Sequence, residues 1–397
     1  MIMGSTIIRN NRLLTFLSLL ISFLVIHKML GCVGHLPTLY YCALVVCVSL
    51  VLIFLGPPRF NTLVLFFIIY IGFCLLILNP PAIFSPWLRY GLFVSIMTLS
   101  SPMLQSKKFR LMRRTCLMNI LYASVIISAL SFFCYFLGVN FMTYTADIEF
   151  SDRGGLFGGL TNHSIVLGIT SGLSICLLTY KGLTQNWKWF LLAIPCLGSL
   201  LFSASRGALA ATIISVILII LMTRRLRMSK TKIWLLILIA IVGIGYVVNN
   251  TDILSGLESK MSDRDSTSLI SSREDKIAYR MEEFRSSPLI GIGFSTVSLD
   301  GGDNVNLLSG TIEPGSSWFA ILSMTGIIGA IAFVILFIKG YINQIKGKSQ
   351  ISILMLGLIT FFAVNMFSEG YIFAAGSPLC FILWLIIGNC IDVNDLQ

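Results

Sequence analysis

The stretch WFLLAIPCLGSLLFSASRGALAATIISVILIILMTRR, residues 189–225, decides the fold. A helix needs about 20 apolar residues to cross a hydrocarbon core about 30 Å thick. This run is too long for one crossing and long enough for two. Its polar centre, SASRG at 203–207, therefore predicts a tight turn between two membrane-spanning helices, with Arg206 at the turn.

The rest of the chain has the same apolar character. Its 397 residues have a mean hydropathy of +0.90, with 56% hydrophobic and 11% charged side chains. No soluble domain buries that apolar fraction, so the composition predicts an all-α, polytopic integral membrane protein. Apolar runs bounded by charge, proline or glycine predict about 12 transmembrane helices. They lie near 13–30, 37–55, 60–78, 84–103, 116–138, 160–179, 188–203, 207–223, 233–249, 316–338, 350–367 and 371–391.

Basic residues predict how these helices are oriented. With the N-terminus in the cytoplasm, the inner connections hold 18 of the 28 Lys and Arg residues, and six of the other ten lie in one long outer loop. The positive-inside rule therefore favours both termini inside (N-in, C-in). Anionic lipid at the inner leaflet accounts for the net charge of +11, so no nucleic-acid partner is expected.

This topology divides the chain into three regions. We expect transmembrane helices 1–9 in residues 1–249, a large periplasmic loop with short helices in 250–315, and helices 10–12 with a short cytoplasmic tail in 316–397. No predicted transmembrane helix carries a carboxylate near its centre. That absence disfavours a proton- or cation-coupled transporter.

The long loop contains a predicted helix, within SSREDKIAYRMEEFRSSPLIGIGF at 271–294. Ser272 is the predicted N-cap residue of this helix, and Pro288 ends the helical pattern. Arg273, Lys276 and Arg280 fall on one side of this helix, where we expect a cationic edge facing an anionic group. The alternative is a solvated helix whose arginines pair with local acids such as Glu282 and Glu283.

Arg206 and the outer segment at 153–164 are further candidates for binding. No Asp or Glu occurs within 189–225, and an arginine at this depth is costly unless it is paired. We interpret Arg206 as an anion-binding residue; the alternative is an arginine that snorkels to the interface. In RGGLFGGLTNHS, Arg153 precedes several glycines, and Asn162 and His163 stand where a helix begins. A role in capping that helix is the alternative for His163.

Three stretches, taken together, resemble the integral-membrane O-antigen polymerase and O-antigen ligase superfamily. They are SASRGALAA (203–211), the loop segment 271–294, and GSSWFAILSMTGIIGAIAF (315–333). The first is similar to a Ser-Arg-Gly signature, the second to an arginine, a helix and Pro-Leu-x-Gly-x-Gly, and the third to a helix entry. The segment 153–164 is similar to a looser upstream element.

The resemblance implies an undecaprenyl-diphosphate-linked glycan as the substrate, handled at the periplasmic face of the bacterial inner membrane. The diphosphate gains negative charge as its bond to the sugar breaks, and arginines can bind its oxygens bidentately without a metal or another cofactor. We therefore expect Arg206 and Arg273 to be catalytic, as diphosphate ligands. The expected substrate-binding residues are Arg153, Arg280, Asn162, His163 and Glu369.

One departure from the superfamily bears on the reaction. Its ligases begin the third stretch with a histidine thought to assist the acceptor hydroxyl, and the corresponding residue here is Gly315. The resemblance therefore favours a polysaccharide polymerase, with an O-antigen ligase that transfers glycan to lipid A-core or protein as the alternative. For a general base we expect Glu313, with Glu369 and His163 left open.

The alternative from another class is a lipid-linked oligosaccharide flippase or other transporter. Such a protein is expected to need charged groups deep in the membrane, and the predicted helices hold few or none. The expected partners are the lipid bilayer and the lipid-linked glycan. The resemblance also implies a chain-length regulator and a separate flippase.

Overall fold

Helices account for most of the residues that the computed structural model describes. These residues are 12–34, 37–55, 58–142, 157–224, 274–298, 305–306, 311–312, 315–347 and 349–392. The helices are α1 (Arg12–Met29), α2 (Pro37–Leu55), α3 (Thr62–Leu78), α4 (Pro86–Ser100), α5 (Lys107–Phe136), α6 (Ser164–Thr184), α7 (Trp189–Phe202), α8 (Arg206–Arg224), α9 (Glu274–Ser286), α10 (Ser317–Lys346), α11 (Gln350–Asn365) and α12 (Pro378–Asp392). Two antiparallel ribbons pair β1 (Arg59–Phe60) with β2 (Leu104–Gln105) and β3 (Val305–Asn306) with β4 (Thr311–Ile312).

The apolar helices make the chain a multi-pass membrane protein of the all-α class. Within the described ranges, seven helices are long and apolar enough to cross a membrane, and four shorter apolar helices lie among them. The shorter ones are α3, α7, α11 and α12. The span predicted at 233–249 lies outside the described residues.

Two helices form the centre of the bundle. Every residue of α12 is buried, and α12 packs against α4, α5, α10 and α11. The other central helix, α6, is buried over nearly its whole length by α5, α7, α8 and α11. The peripheral helices expose large apolar side chains such as Phe16, Ile53 and Leu76, as contact with lipid tails requires.

Several helix boundaries differ from the sequence prediction; α5, for example, begins at Lys107 and not near residue 116. Two further differences concern α12 and α10. The last span was expected to begin at residue 371, but α12 begins at Pro378, a residue favoured in the first helical turn. Residues 366–377 instead form a folded connection that turns back on itself through backbone hydrogen bonds. At the other boundary α10 continues to Lys346, well beyond the predicted end at 338.

A break interrupts α10 at Gly326, where φ is 63° and ψ is −170°. The groups that a break releases must find partners inside the protein, because an apolar environment offers none. The segment that follows α9 supplies them. The N–H groups of Ile292 and Gly293 donate to the carbonyls of Ser323 and Met324 at 2.8 and 3.2 Å, and the N–H of Ile327 donates to the carbonyl of Pro288 at 2.9 Å.

An aromatic side chain fixes the same segment to the core. Phe294 is fully buried, and its ring centroid lies 5.2 Å from those of Phe93 and Phe373. The hydroxyl of Tyr70 adds a bond to the carbonyl of Thr325, at 2.8 Å, next to the break. Residues 288–294 are therefore part of the helix bundle.

A buried ion pair stands at the opposite end of the bundle. Arg113 of α5 is completely buried, and its Nε donates to Asp392 Oδ2 at 2.9 Å while its Nη1 donates to the carbonyl of Leu104 at 3.0 Å. The sequence prediction assigned Asp392 to a cytoplasmic tail. It belongs instead to α12, where it ties that helix to α5.

Because the two backbones touch at the break in α10, one methyl group added at Gly291 should lower the stability of the protein substantially. Gly291 has a φ of +73°, and a Cβ there would lie 2.5 Å from the carbonyl carbon of Met324. Gly291→Ala should lower the free energy of unfolding by about 3 kcal/mol, from the strained φ and the displaced backbone. Thermal unfolding in detergent measures this. Gly91→Ala is the matched control, because its Cβ would meet no atom within 4 Å; equal stability of the two variants would contradict the prediction.

Candidate functional site

The turn between α7 and α8 places Arg206 at the end of the bundle where residues 274–298 also lie. The N–H of Ser203 donates to the carbonyl of Ser199, and the N–H of Ala204 to that of Leu201, both at 3.0 Å. Ala204 then takes a φ of +49°, which reverses the chain. Arg206 follows as the first residue of α8 and is half-buried.

The start of α8 packs directly against the connection between α11 and α12. A Cβ on Gly207 would lie 1.8 Å from Ser368 Oγ and 3.5 Å from Asn365 Nδ2. A glycine is therefore required for α8 to approach residues 365–368 this closely. This contact brings Arg206 beside the segment that carries Glu369.

The N-terminus of α10 holds the same connection from another side. Ser316 Oγ donates to the carbonyl of Met366 at 2.9 Å, and Ser317 Oγ donates to that of Glu369 at 2.7 Å. The N–H of Tyr371 donates back to Ser317 Oγ at 3.0 Å. Two of the three sequence stretches, around 203–211 and 315–333, therefore meet at residues 365–371.

Buried polar side chains fix the shape of this connection. Asn365 is fully buried, and its Oδ1 accepts the hydroxyl of Tyr371 at 2.9 Å. Burial, together with the negative charge of Glu369, raises the pKa of Tyr371 well above its ordinary value. The phenol is therefore neutral and able to donate at any physiological pH.

The loop helix α9 turns its charged side toward the protein. Arg280 is 2% exposed, and its Nη1 donates to Glu283 Oε2 at 2.8 Å and to the carbonyl of Thr296 and Ser323 Oγ at 3.3 Å. Glu283 Oε1 also accepts the N–H of Ser298 at 2.9 Å. From the sequence we expected a cationic edge facing an anionic group, with arginines paired to Glu282 or Glu283 as the alternative, and Arg280 does pair with Glu283. The structure turns that edge inward because the backbone of 296–298 needs polar partners, so Arg280 binds this loop to α10.

Lys276 lies on the same inward side of α9. A Cβ on Gly315 would be 2.8 Å from Lys276 Cβ, and Gly315 has a φ of +74°. The stem of Lys276 therefore fills the space into which a side chain at position 315 would project.

Asn162 and His163 lie where α6 begins. Asn162 Nδ2 donates to the carbonyl of Lys28 at 3.0 Å, which ties this segment to the end of α1. His163 is the N-cap residue of α6, and its Nδ1 accepts the N–H of Ile165 at 3.1 Å. The capping alternative for His163 is thus the interaction seen. One turn further along α6, Gly168 contacts Ser205, so this segment neighbours the α7–α8 turn.

The candidate site residues consequently fall into three groups. Arg206 and Glu369 lie at one contact, between the start of α8 and residues 365–371, and Asn162 and His163 stand beside it at the start of α6. Arg280 belongs to the contact between α9 and α10. Arg153, Arg273 and Glu313 lie outside the described residues.

Sequence reasoning missed Asn365, Ser368 and Tyr371. A signal was present, since NMFSEGY at 365–371 follows an apolar run with an amide, a hydroxyl, a carboxylate and a phenol in quick succession. The predicted span starting at residue 371 obscured it by assigning Tyr371 to the membrane.

Comparison with protein families gave one match. Residues 190–334 match a family described as O-antigen ligase. The matched region runs from α7 into α10 and includes the three stretches singled out in the sequence. It does not distinguish polymerases from ligases. A search of curated proteins found no match.

The contact between Gly207 and Ser368 can be tested by compensation. Gly207→Ala should lower the free energy of unfolding by about 1–3 kcal/mol, because the new methyl group overlaps Ser368. Adding Ser368→Gly removes the overlapping atoms and should restore most of that loss. Thermal unfolding of the single and double variants in detergent measures both effects; strictly additive losses would refute the contact.

Proposed function

We propose that this membrane protein is a polysaccharide polymerase, because residues 190–334 match a family described as O-antigen ligase and its sequence stretches resemble the O-antigen polymerase and ligase superfamily. The family match supports a glycan-transferring enzyme of membrane glycan assembly. In our proposal it transfers the growing glycan from undecaprenyl diphosphate to an incoming lipid-linked repeat unit, producing O-antigen or capsule. The reaction would take place at the periplasmic face of the inner membrane, alongside a chain-length regulator and a flippase.

The geometry at Gly315 is the observation that supports a polymerase over a ligase. The resemblance places the acceptor-assisting histidine of ligases at this position. A φ of +74° is unfavourable for any side chain, and the stem of Lys276 occupies the space a side chain would need. The lack of histidine is therefore matched by the surrounding structure, which has no room for an imidazole there.

The proposed reaction forms one bond and breaks one. A hydroxyl oxygen of the acceptor sugar attacks the anomeric carbon of the donor glycan, and the bond from that carbon to the diphosphate oxygen breaks. The electron pair of the broken bond stays on the diphosphate, and the hydroxyl proton passes to a base. Stabilising the charge on the leaving diphosphate is the largest task left to the protein.

We assign that task to Arg206, with Arg273 and Arg153 as further diphosphate ligands. Arg206 is half-buried at a helix start, and the planar set of donors of its guanidinium matches phosphate oxygens. The first-turn N–H groups of α8 add positive potential at the same point. Positioning of charge before the reaction is what lowers the barrier.

For the proton we propose a carboxylate near Arg206. Glu369 follows Ser368, which contacts Gly207, so the connection 365–371 places this acid beside the start of α8. Glu313 is the second carboxylate proposed, and it precedes α10 by only a few residues. Asn162 and His163 then lie where they can contact the glycan, while Arg280 positions α9.

Polymerisation in a purified system tests this proposal. Protein in nanodiscs, supplied with a single lipid-diphosphate-linked repeat unit, should produce a ladder of longer glycans. Arg206→Ala should slow the ladder about a hundredfold to a thousandfold, the usual cost of removing one charge-stabilising donor. Arg206→Lys should recover only a small part of the lost polymerisation rate, since lysine cannot bind two oxygens in one plane.

Arg59→Ala is the control, since Arg59 is exposed at the opposite end of the bundle. A parallel reaction offers lipid A-core as the acceptor for long lipid-linked glycan. Transfer to lipid A-core without any ladder from single repeats would make the protein a ligase and overturn the proposal.

A further inference from the structure

The amide of Asn365 has donors that no residue described by the structure uses. Its Oδ1 accepts the hydroxyl of Tyr371, and its backbone carbonyl accepts Ser368 Oγ at 3.1 Å. Its Nδ2 is buried and has no hydrogen-bond partner among the residues described. Leaving a buried donor unsatisfied is destabilising, so such a group calls for an explanation.

Tyr371 decides where the unused donors point. The neutral phenol donates to Oδ1, so rotating the amide by 180° would exchange that hydrogen bond for a contact between donors. The phenol ring is itself fixed, with its centroid 5.7 Å from that of Phe362. The Nδ2 group is therefore held in one direction.

That direction is toward the first turn of α8. Asn365 Nδ2 lies 3.5 Å from the Cβ position of Gly207, the residue that follows Arg206. The first N–H groups of a helix have no partner within it, and α8 is 19 residues long. The first turn of α8, which begins with Arg206, and the Asn365 amide thus bring donors to one place.

Access to this place is through small, half-exposed residues. Gly207 and Ser368 are both half-exposed, and they cover the buried amide. Ser368 Oγ is held there by its hydrogen bond to the carbonyl of Asn365. Rotation of this one hydroxymethyl group would let an anionic oxygen reach Nδ2.

We propose that Asn365 is a substrate-binding residue whose Nδ2 donates a hydrogen bond to a phosphate oxygen of the lipid diphosphate, and that Tyr371 is its positioning residue. This inference rests on the proposed function, because it concerns the same leaving group as Arg206. Amide donors suit a diphosphate well, since they stabilise its charge without adding a competing cation.

Binding of geranylgeranyl diphosphate to the full-length protein in nanodiscs tests the inference. Asn365→Ala should raise the Kd about tenfold or more, because it removes a hydrogen bond to a charged group. Asn365→Asp should raise the Kd further, since a carboxylate would face the phosphate. Tyr371→Phe keeps the ring and should raise the Kd about threefold to tenfold by releasing the amide.

Asn389→Ala is the matched control. Asn389 is also a buried asparagine in an apolar helix, but its Nδ2 donates to the carbonyl of Leu385 within α12, at 2.8 Å. This variant should bind the diphosphate as wild type does. Geranylgeraniol, which lacks the phosphates, should bind equally to wild type, Asn365→Ala and Tyr371→Phe.

The outcomes separate this inference from the proposed function. Wild-type affinity in a folded Asn365→Ala variant, with binding lost in Arg206→Ala, would overturn the inference and leave the proposed function standing. Failure of the wild type both to bind the isoprenyl diphosphate and to polymerise repeats would overturn both. If Asn365→Ala does not fold, Tyr371→Phe decides, and an unchanged Kd would count against the inference.

Discussion

The break in α10 sets the constraint on which the outer end of the bundle depends. A helix interrupted inside an apolar protein must have its released backbone groups satisfied by other protein groups. Residues 288–293 do this, and they can do so only if Gly291 and Gly326 adopt positive φ angles and let two backbones touch. This backbone pairing places α9, and with it Lys276 and Arg280, over the N-terminal half of α10.

The candidate site is assembled by the same kind of close backbone contact. Its parts come from α8, from the start of α10 and from residues 365–371, which are distant in sequence. Gly207 lets α8 approach Ser368, and Ser317 holds the connection through four hydrogen bonds. A single added methyl group at Gly207 would therefore move Arg206 relative to Glu369, which is a strict requirement on a short Ser-Arg-Gly sequence.

The helices were largely predictable from the sequence because lipid imposes a length and an apolar composition on each of them. The turn at 203–205 was predictable for the same reason, since the apolar run 189–225 is long enough for two membrane-spanning helices and too long for one. The break at Gly326 was not, because the glycine lies in an apolar run that satisfies the criteria for an uninterrupted helix. Only the partner segment 288–293, remote in sequence, shows why a break is tolerated there.

The sequence did not predict the role of a charged side chain where that side chain could face either solvent or another part of the protein. Helical periodicity correctly placed Lys276 and Arg280 on one side of α9, but it gave no information on whether that side faces solvent or protein. The structure turns it inward, since Glu283 and the backbone at 296–298 need the guanidinium of Arg280. Likewise Asp392, close to the C-terminus, has the sequence character of a solvated tail residue, and only its contact with Arg113 explains its burial.

The pairing of Gly315 with Lys276 has a consequence for proton transfer in the proposed reaction. An imidazole at position 315 would accept a proton near neutral pH, whereas glycine offers no group and the lysine beside it is a cation. The base must therefore come from another segment, such as Glu369 or Glu313, and a cation close by would keep a carboxylate there ionised. Glu369 meets the positional requirement because the connection that carries it packs against α8 and is hydrogen-bonded to the start of α10. In the proposed reaction Glu369 would accept the proton, and Arg206 would stabilise the negative charge that develops on the leaving diphosphate.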